Sequence, residues 1–310
     1  MKPGDPLLKA DLSTFLVSGA VVVFSMAYWW VFRSDSGGRL KSLRKDFKEF
    51  PILSKKIVSG NVERPVMFLT LGVSTQALPT GAHVKIRAEI DGEEVVRPYT
   101  PTKFDDNQCE LMFRVYPKGK LTQHLYNSLE VGDMVTMKGP TGIHRYGLQG
   151  PGSFSRGRRT WTGIKYIAMV AGGTGVTPML QIANCVTNNP DDGSRVAILL
   201  FNSTMDDVMM QERLDQLAGA SEQVSMSFFV GSAEEEELAE QQGGLISSTM
   251  SISSIRRCTQ EELVKGIFDA LGLDGEEEKS QVMVCMCGPD GFVKKAKLLL
   301  KDQFQNILVW

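Results

Sequence analysis

Four short runs of residues carry the types and spacing that a flat, phosphate-bearing ligand would need. The first is Arg97-Pro98-Tyr99-Thr100-Pro101. A guanidinium there can fork onto a phosphate, the prolines fix the local backbone, and Tyr99 and Thr100 offer a ring and hydroxyls. A well-packed strand end with a surface arginine fits the same residues. The second is Gly119-Lys120-Leu121-Thr122, which leads into a short helix. Backbone N–H groups at a helix start bind anions, and a plain cap is the alternative. The third is Ala171-Gly172-Gly173-Thr174-Gly175-Val176-Thr177-Pro178, between a strand and a helix. Its glycines permit a tight turn and close approach of a bulky ligand, although the spacing matches neither the dinucleotide fingerprint nor the phosphate loop. The fourth, Cys287-Gly288-Pro289-Asp290-Gly291, ends an apolar strand, the edge where open α/β sheets bind ligands. Cys287 stands near a reacting ring in that reading and is a free buried thiol in the plainer one.

Other chemistries lack their residues. His83, His124 and His144 show no metal-ligand spacing and read as packing or surface residues, so no metal is expected. There is no GxSxG serine motif and no CxxC pair. Five cysteines are too few and too irregular for a disulfide framework. A net charge of −2 gives no global pull toward nucleic acid. The acidic runs Glu234–Glu237 and Glu276–Glu278 read as solvated loops.

The elements that must position these runs fall into two patterns. From about Ile52 to Gly142, short alternating segments (Val66–Leu71, Ala82–Ile90, Leu111–Tyr116, Asp133–Lys138) are divided by turn signals such as Asp91-Gly92. That spacing predicts an antiparallel β-barrel or sandwich, with one helix over Leu121–Leu129. The Gly-, Ser- and Arg-rich stretch Gly147–Gly163 reads as the interdomain connection. Beyond it strands alternate with helices: Ile164–Val170, Pro178–Thr187, Val196–Phe201, Asp207–Leu217, Val224–Val230, Gln281–Met286 and Gly291–Phe304. That order predicts a parallel sheet with helices on its faces. The expected multi-domain α+β layout is a barrel domain at 51–150, a linker at 151–163 and an α/β domain at 164–310.

The N-terminus differs from both. Leu12 to Phe32 holds no charged residue, is long enough to cross a bilayer, and ends in Tyr28, Trp29 and Trp30 before Arg33. An uncleaved transmembrane anchor is expected over residues 12–32, contacting membrane lipid within an N-terminal segment 1–33, followed by a basic tether at 34–50. Lys2 and Lys9 precede the segment, whereas Arg33, Arg39, Lys41, Arg44, Lys45 and Lys48 follow it, which orients the body to the cytosol. The endoplasmic reticulum and the outer mitochondrial membrane fit such an anchor equally.

Taken in order, the four motifs resemble the ferredoxin-reductase-like flavoprotein family, in its NADH–cytochrome b5 reductase branch, over roughly Pro51 to Trp310. Leu78-Pro79-Thr80-Gly81-Ala82-His83 and Ile90-Asp91-Gly92 fit that branch as well. The resemblance implies a barrel domain that binds FAD and an α/β domain that binds the nicotinamide dinucleotide. It implies that Arg97, Pro98, Tyr99 and Thr100 hold the flavin and its phosphate end, and that Gly119, Lys120, Leu121 and Thr122 contact the pyrophosphate. Met112, Arg114 and Tyr116 join the cofactor-binding set, Arg114 standing where the branch has lysine. Thr177 would lie against the flavin, Gly172, Gly173, Thr174 and Gly175 would line the nucleotide, and Cys287 and Gly288 would sit near the nicotinamide. Thr100 and Cys287 are the implied catalytic residues. The implied activity is hydride transfer from NADH to flavin and single-electron transfer to cytochrome b5 or a similar haem protein. A flavin reductase serving a ferric chelate or a desaturase-linked haem domain shares every motif. A nucleotide-binding scaffold without turnover is the rival from another class. Three departures stand out. Gly231 occupies the place of an aspartate that disfavours a 2′-phosphate, leaving room for NADPH beside NADH. The loop from Tyr116 to Gly119 is short. Trp310 ends the chain where phenylalanine is usual.

Overall fold

The computed structural model describes residues 45–58, 64–74, 78–105, 107–229 and 258–310. The expected anchor at 12–32 and Gly231 lie outside the described residues. Among the described residues no helix is long and apolar enough to cross a membrane.

The first half is antiparallel. Its strands are β1 (Lys48–Ile57), β2 (Val66–Gly72), β3 (His83–Ile90), β4 (Glu93–Tyr99), β5 (Pro101–Asp105), β6 (Gln108–Arg114) and β7 (Met134–Thr141). They hydrogen-bond in the order β4-β3-β7-β1-β2-β6-β5. Strand periodicity sets the faces: Val84 and Ile86 of β3 are buried, while Lys85 and Arg87 point outward. Asp91 and Gly92 take φ of 53° and 76°, the left-handed pair that a two-residue hairpin needs. Phe50, Leu69, Ile86 and Leu111 from different strands, with Leu125 of helix α1 (Lys120–Asn127), form one core, so the sheet is rolled around it. β1 begins inside the stretch read as a tether. Lys48, Glu49 and Phe50 pair with Met137, Thr136 and Val135, and burial of Phe50 outweighs the polar local composition.

The Gly-rich stretch expected as a connection is also partly ordered. β8 (His144–Tyr146), β9 (Phe154–Arg156) and β10 (Arg159–Trp161) form a three-stranded sheet in the order β10-β9-β8. Tyr146 and Phe154 are both buried and meet edge-on at 4.8 Å, an apolar anchor that propensity does not reveal.

The second half is a parallel sheet in the order β13-β12-β11-β14-β15. Its strands are β11 (Tyr166–Gly172), β12 (Arg195–Phe201), β13 (Val224–Phe229), β14 (Val282–Cys287) and β15 (Asn306–Val309). Ile167, Met169 and Ala171 face helices α2 (Val176–Thr187) and α3 (Gln211–Ala220). Ala168 and Val170 face α4 (Gln260–Leu271) and α5 (Asp290–Leu300). Burial on both faces is why these strands read as continuous apolar runs. The first of the two cores extends into the antiparallel half through Val66, Met112, Tyr146 and Phe154, so the halves share apolar contacts. Strand order reverses between β12 and β14, on either side of β11, which opens a crevice at their C-terminal ends.

Candidate functional site

The ends of β11 and β14 lie side by side, with Ala171 opposite Cys287, so the third and fourth runs meet at one sheet edge. A Cβ at Gly175 would stand 2.2 Å from the carbonyl oxygen of Cys287. Glycine is what lets those two runs close on each other. Facing them across a cleft of about 370 Å³ is the wall made by β4 and β6. That volume lies within the range of roughly 300–1,000 Å³ typical of cofactor sites. The antiparallel wall presents Pro98, Tyr99 and Thr100, then Met112, Arg114 and Tyr116, with Thr122 at the start of α1. The opposite wall presents Thr174, Gly175 and Thr177, with Cys287 and Gly288. Residues far apart in the chain thus converge on one space.

Both helices that open toward this space begin without a side-chain cap, α1 at Gly119 and α2 at Gly175. At α1 the first-turn N–H groups are left as spare donors, the feature that makes a helix start an anion site, whereas α2 continues the turn Gly173–Gly175, whose carbonyls already take the Val176 N–H. Thr122 donates to the Gly119 carbonyl at 3.1 Å and Thr177 to the Thr174 carbonyl at 3.1 Å. Each hydroxyl oxygen keeps lone pairs free to accept a bond. Apolar ring faces, the open helix start at α1 and a glycine-lined approach fit a flat ring system with a diphosphate tail.

Other expected site residues stand behind or beside the walls. Arg97 is exposed and donates from Nη1 to the Val96 carbonyl at 2.8 Å. Lys120 is exposed and ion-paired with Glu93. Leu121 is buried in the antiparallel core. A Cβ on Gly119 would meet the Thr122 hydroxyl at 2.4 Å, and one on Gly172 the Phe292 ring at 3.0 Å, so both glycines serve close packing. Gly173 takes φ of 53°, a left-handed turn. Arg114 lines the cleft but is also salt-bridged to Asp207, and its Nη2 donates to the Asp207 carbonyl at 2.8 Å. Its charge therefore joins the two domains.

His83, Phe113, Pro178 and Trp310 complete the lining, and motif reading did not put them there. Pro178 closes the third run, Phe113 lies between Met112 and Arg114, and His83 ends the Leu78–His83 run, so each had a local signal. Trp310 had only the resemblance, which expects a phenylalanine there; its neighbour β15 carries it in. The indole packs against His144 with ring centroids 4.5 Å apart and a tilt of 30°, and its N–H donates to the Gly81 carbonyl at 3.4 Å.

Burial sets the protonation of this site. It lowers His83, helped by Lys85 and Arg145, and takes His144 down to about 4, helped by Arg156, His83 and Arg145. Burial raises the Tyr99 phenol and pushes the Cys287 thiol up to about 11. Cys287 is thus a neutral thiol at neutral pH, suited to packing beside a ring rather than to nucleophilic attack. Among the described residues, no group of three or more His, Cys, Asp or Glu is placed to hold a metal ion.

An antiparallel domain and a parallel sheet enclosing such a cleft define a two-domain flavin and nicotinamide oxidoreductase architecture. An oxidoreductase FAD-binding domain model matches residues 49–146, and an oxidoreductase NAD-binding domain model matches residues 169–297. NADH-cytochrome b5 reductase 1 of Laccaria bicolor is 33% identical over 231 residues, 73% of this chain and 70% of its own length. NADH--cytochrome b5 reductase 1 of Arabidopsis thaliana is 35% identical over 176 residues, 56% of this chain; the chain spans 58% of that relative's length. The crystal structure of the cytochrome b5 reductase domain of Ulva prolifera nitrate reductase superposes with a TM-score of 0.68 at 25% identity, covering 88% of this chain and 100% of that domain. The chain belongs to the NADH-cytochrome b5 reductase family.

Proposed function

We propose that the chain is an FAD-dependent oxidoreductase that takes hydride from NADH and passes single electrons to cytochrome b5 or a similar haem protein. One observation carries this reading: Tyr99, Thr100 and Thr122 of one domain face Gly175, Thr177 and Cys287 of the other across one cleft at the strand-order reversal. The names of the relatives support NADH as donor and cytochrome b5 as acceptor. A bound flavin supplies the redox chemistry, accepting a hydride and giving up electrons singly. This chain's residues bind, orient and exclude water. The uncapped start of α1, with Thr122, holds the diphosphate, and Arg97 stands outside the wall as a further cation for the phosphate end. Tyr99 and Thr100 support one side of the ring system and Thr177 the other. Thr174 and Gly175 let the nicotinamide nucleotide approach the backbone, Gly172 and Gly173 form the tight turn behind them, and Cys287 presses a neutral thiol toward its ring. Where the aspartate selective for NADH would stand, Gly231 leaves NADPH tolerated as well.

Residues 12–32 serve as a single-pass anchor in the same proposal, with the body in the cytosol at the endoplasmic reticulum or the outer mitochondrial membrane. Their uncharged length and the basic cluster after them support it. The test is direct. The purified full chain should be yellow, and NADH should bleach its flavin band and then drive reduction of cytochrome b5. A colourless chain that gains no flavin on incubation with FAD would dismiss the proposal. Release of the chain from membranes by alkaline wash, rather than by detergent alone, would dismiss the anchor.

A further inference from the structure

We propose that Gln181 is a positioning residue that sets the width of the catalytic cleft by clamping the Gly81–Ala82 backbone. The proposal rests on the cleft being the site of hydride transfer. Gln181 does not line the cleft, yet its amide spans the two domains beside it. Its Oε1 accepts a hydrogen bond from the Gly81 N–H at 2.6 Å, and its Nε2 donates to the Ala82 carbonyl at 3.4 Å. From the other side, the Trp310 indole donates to the Gly81 carbonyl at 3.4 Å. The parallel domain therefore grips Gly81 on both its N–H and its C=O, the peptide planes on either side of its Cα.

The gripped segment has little freedom of its own. Gly81 takes φ of +91°, and a Cβ there would lie 2.9 Å from the His144 carbonyl oxygen. The Tyr146 N–H also holds the Thr80 carbonyl at 3.0 Å. Two residues beyond Gly81, His83 lines the cleft. On the other domain, Gln181 follows Thr177 by one helical turn, so the two share a face of α2. Gly175 fits so closely against Cys287 that the fourth run moves with the start of that helix. A stiff loop bearing His83 is thus pinned to a stiff helix bearing Thr177, and Gln181 makes two of the pin's three hydrogen bonds, the Trp310 indole the third. Loss of the two from Gln181 lets the walls shift without separating the domains, because Arg114 with Asp207 and Glu110 with Arg213 also join them.

Two measurements on the full chain test this. Amide hydrogen exchange without added nucleotide reads the clamp itself: in Gln181→Leu the Gly81–His83 stretch should exchange about tenfold faster than in wild type. Equal exchange overturns the proposal. Stopped-flow reduction of the FAD-loaded chain by NADH reads the consequence. Gln181→Leu should lose up to about a hundredfold in the limiting rate, with KM for NADH little changed, as misplacement of about 1 Å predicts. Gln181→Glu should be slow at neutral pH, where its carboxylate repels the Ala82 carbonyl, and should recover as pH falls and the carboxyl can again both accept and donate. A purely structural role would not move the pH profile in this way. Limiting rates within about twofold of wild type for Gln181→Leu, or a Gln181→Glu profile parallel to the wild type's, overturn the proposal. A wild-type chain that NADH fails to reduce counts against the proposed function instead, and the exchange result then decides the clamp. If Gln181→Leu does not fold, the nearly isosteric Gln181→Glu decides through exchange and pH profile.

Discussion

Gly175 shows how a single missing side chain shapes this site. Any Cβ there would overlap the Cys287 carbonyl at 2.2 Å, a rigid backbone atom that cannot swing away. Gly175→Ala should therefore destabilise the fold by about 1–3 kcal/mol through forced backbone movement, measured by urea unfolding. Cys287 sits against the same contact, and its neutral thiol matters for what it touches. Cys287→Ser should slow flavin reduction more than it weakens FAD retention; stopped-flow traces unchanged from wild type would remove Cys287 from the site. His144 makes a prediction about pH. Burial lowers its folded value to about 4, beneath the ordinary 6.5, so the unfolded chain takes up the proton first as pH falls. Its contribution to stability is complete above 6.5 and is lost as pH falls toward about 4. Thermal midpoints of His144→Leu should decline less than wild type's across that window.

At the scale of elements, the join between β6 and the segment before α3 depends on a buried ion pair. Arg114 and Asp207 are 5% and 6% exposed, so each has given up most of its hydration. Removing one partner of such a pair costs about 3–5 kcal/mol, because the remaining charge stays buried without compensation. The two single variants should differ, since Arg64 also approaches Asp207 at 3.7 Å. Asp207→Leu should cost more than Arg114→Leu, and the double variant should recover much of the loss; additive losses in a double-mutant cycle would show that the pair is not coupled. The elements differ in how openly they announce themselves. Helix α4 carries its own signals, a reciprocal cap between Thr259 and Glu262 and Gly272 at its end, although the strand and helix pattern passes over it. The sheet of β8, β9 and β10 carries almost none, because its order comes from Tyr146 and Phe154 packing beneath a Gly-rich surface.

Across the whole molecule, two domains share one apolar core on one face of the parallel sheet and enclose a cleft at its end. A cofactor held between them should stabilise both. FAD at a hundred times its Kd should add about 2.7 kcal/mol to unfolding free energy, visible as a concentration-dependent rise in the thermal midpoint. An unchanged midpoint would mean that FAD does not bind the folded chain.

By itself the sequence determined the two strand patterns, the four chemistry-bearing runs and the family. Those features are local: glycine and proline restrict the backbone where they stand, and strand or helix periodicity is written residue by residue. Tertiary structure alone decided what those residues face. It brought Trp310 back to His144 and Gly81, gave Arg114 the carboxylate of Asp207, paired Lys120 with Glu93, and left Arg97 outside the cleft walls. Such partners lie tens to hundreds of positions away in the chain. The loop entropy of bringing them together is offset by burial over the whole molecule, which no local pattern records.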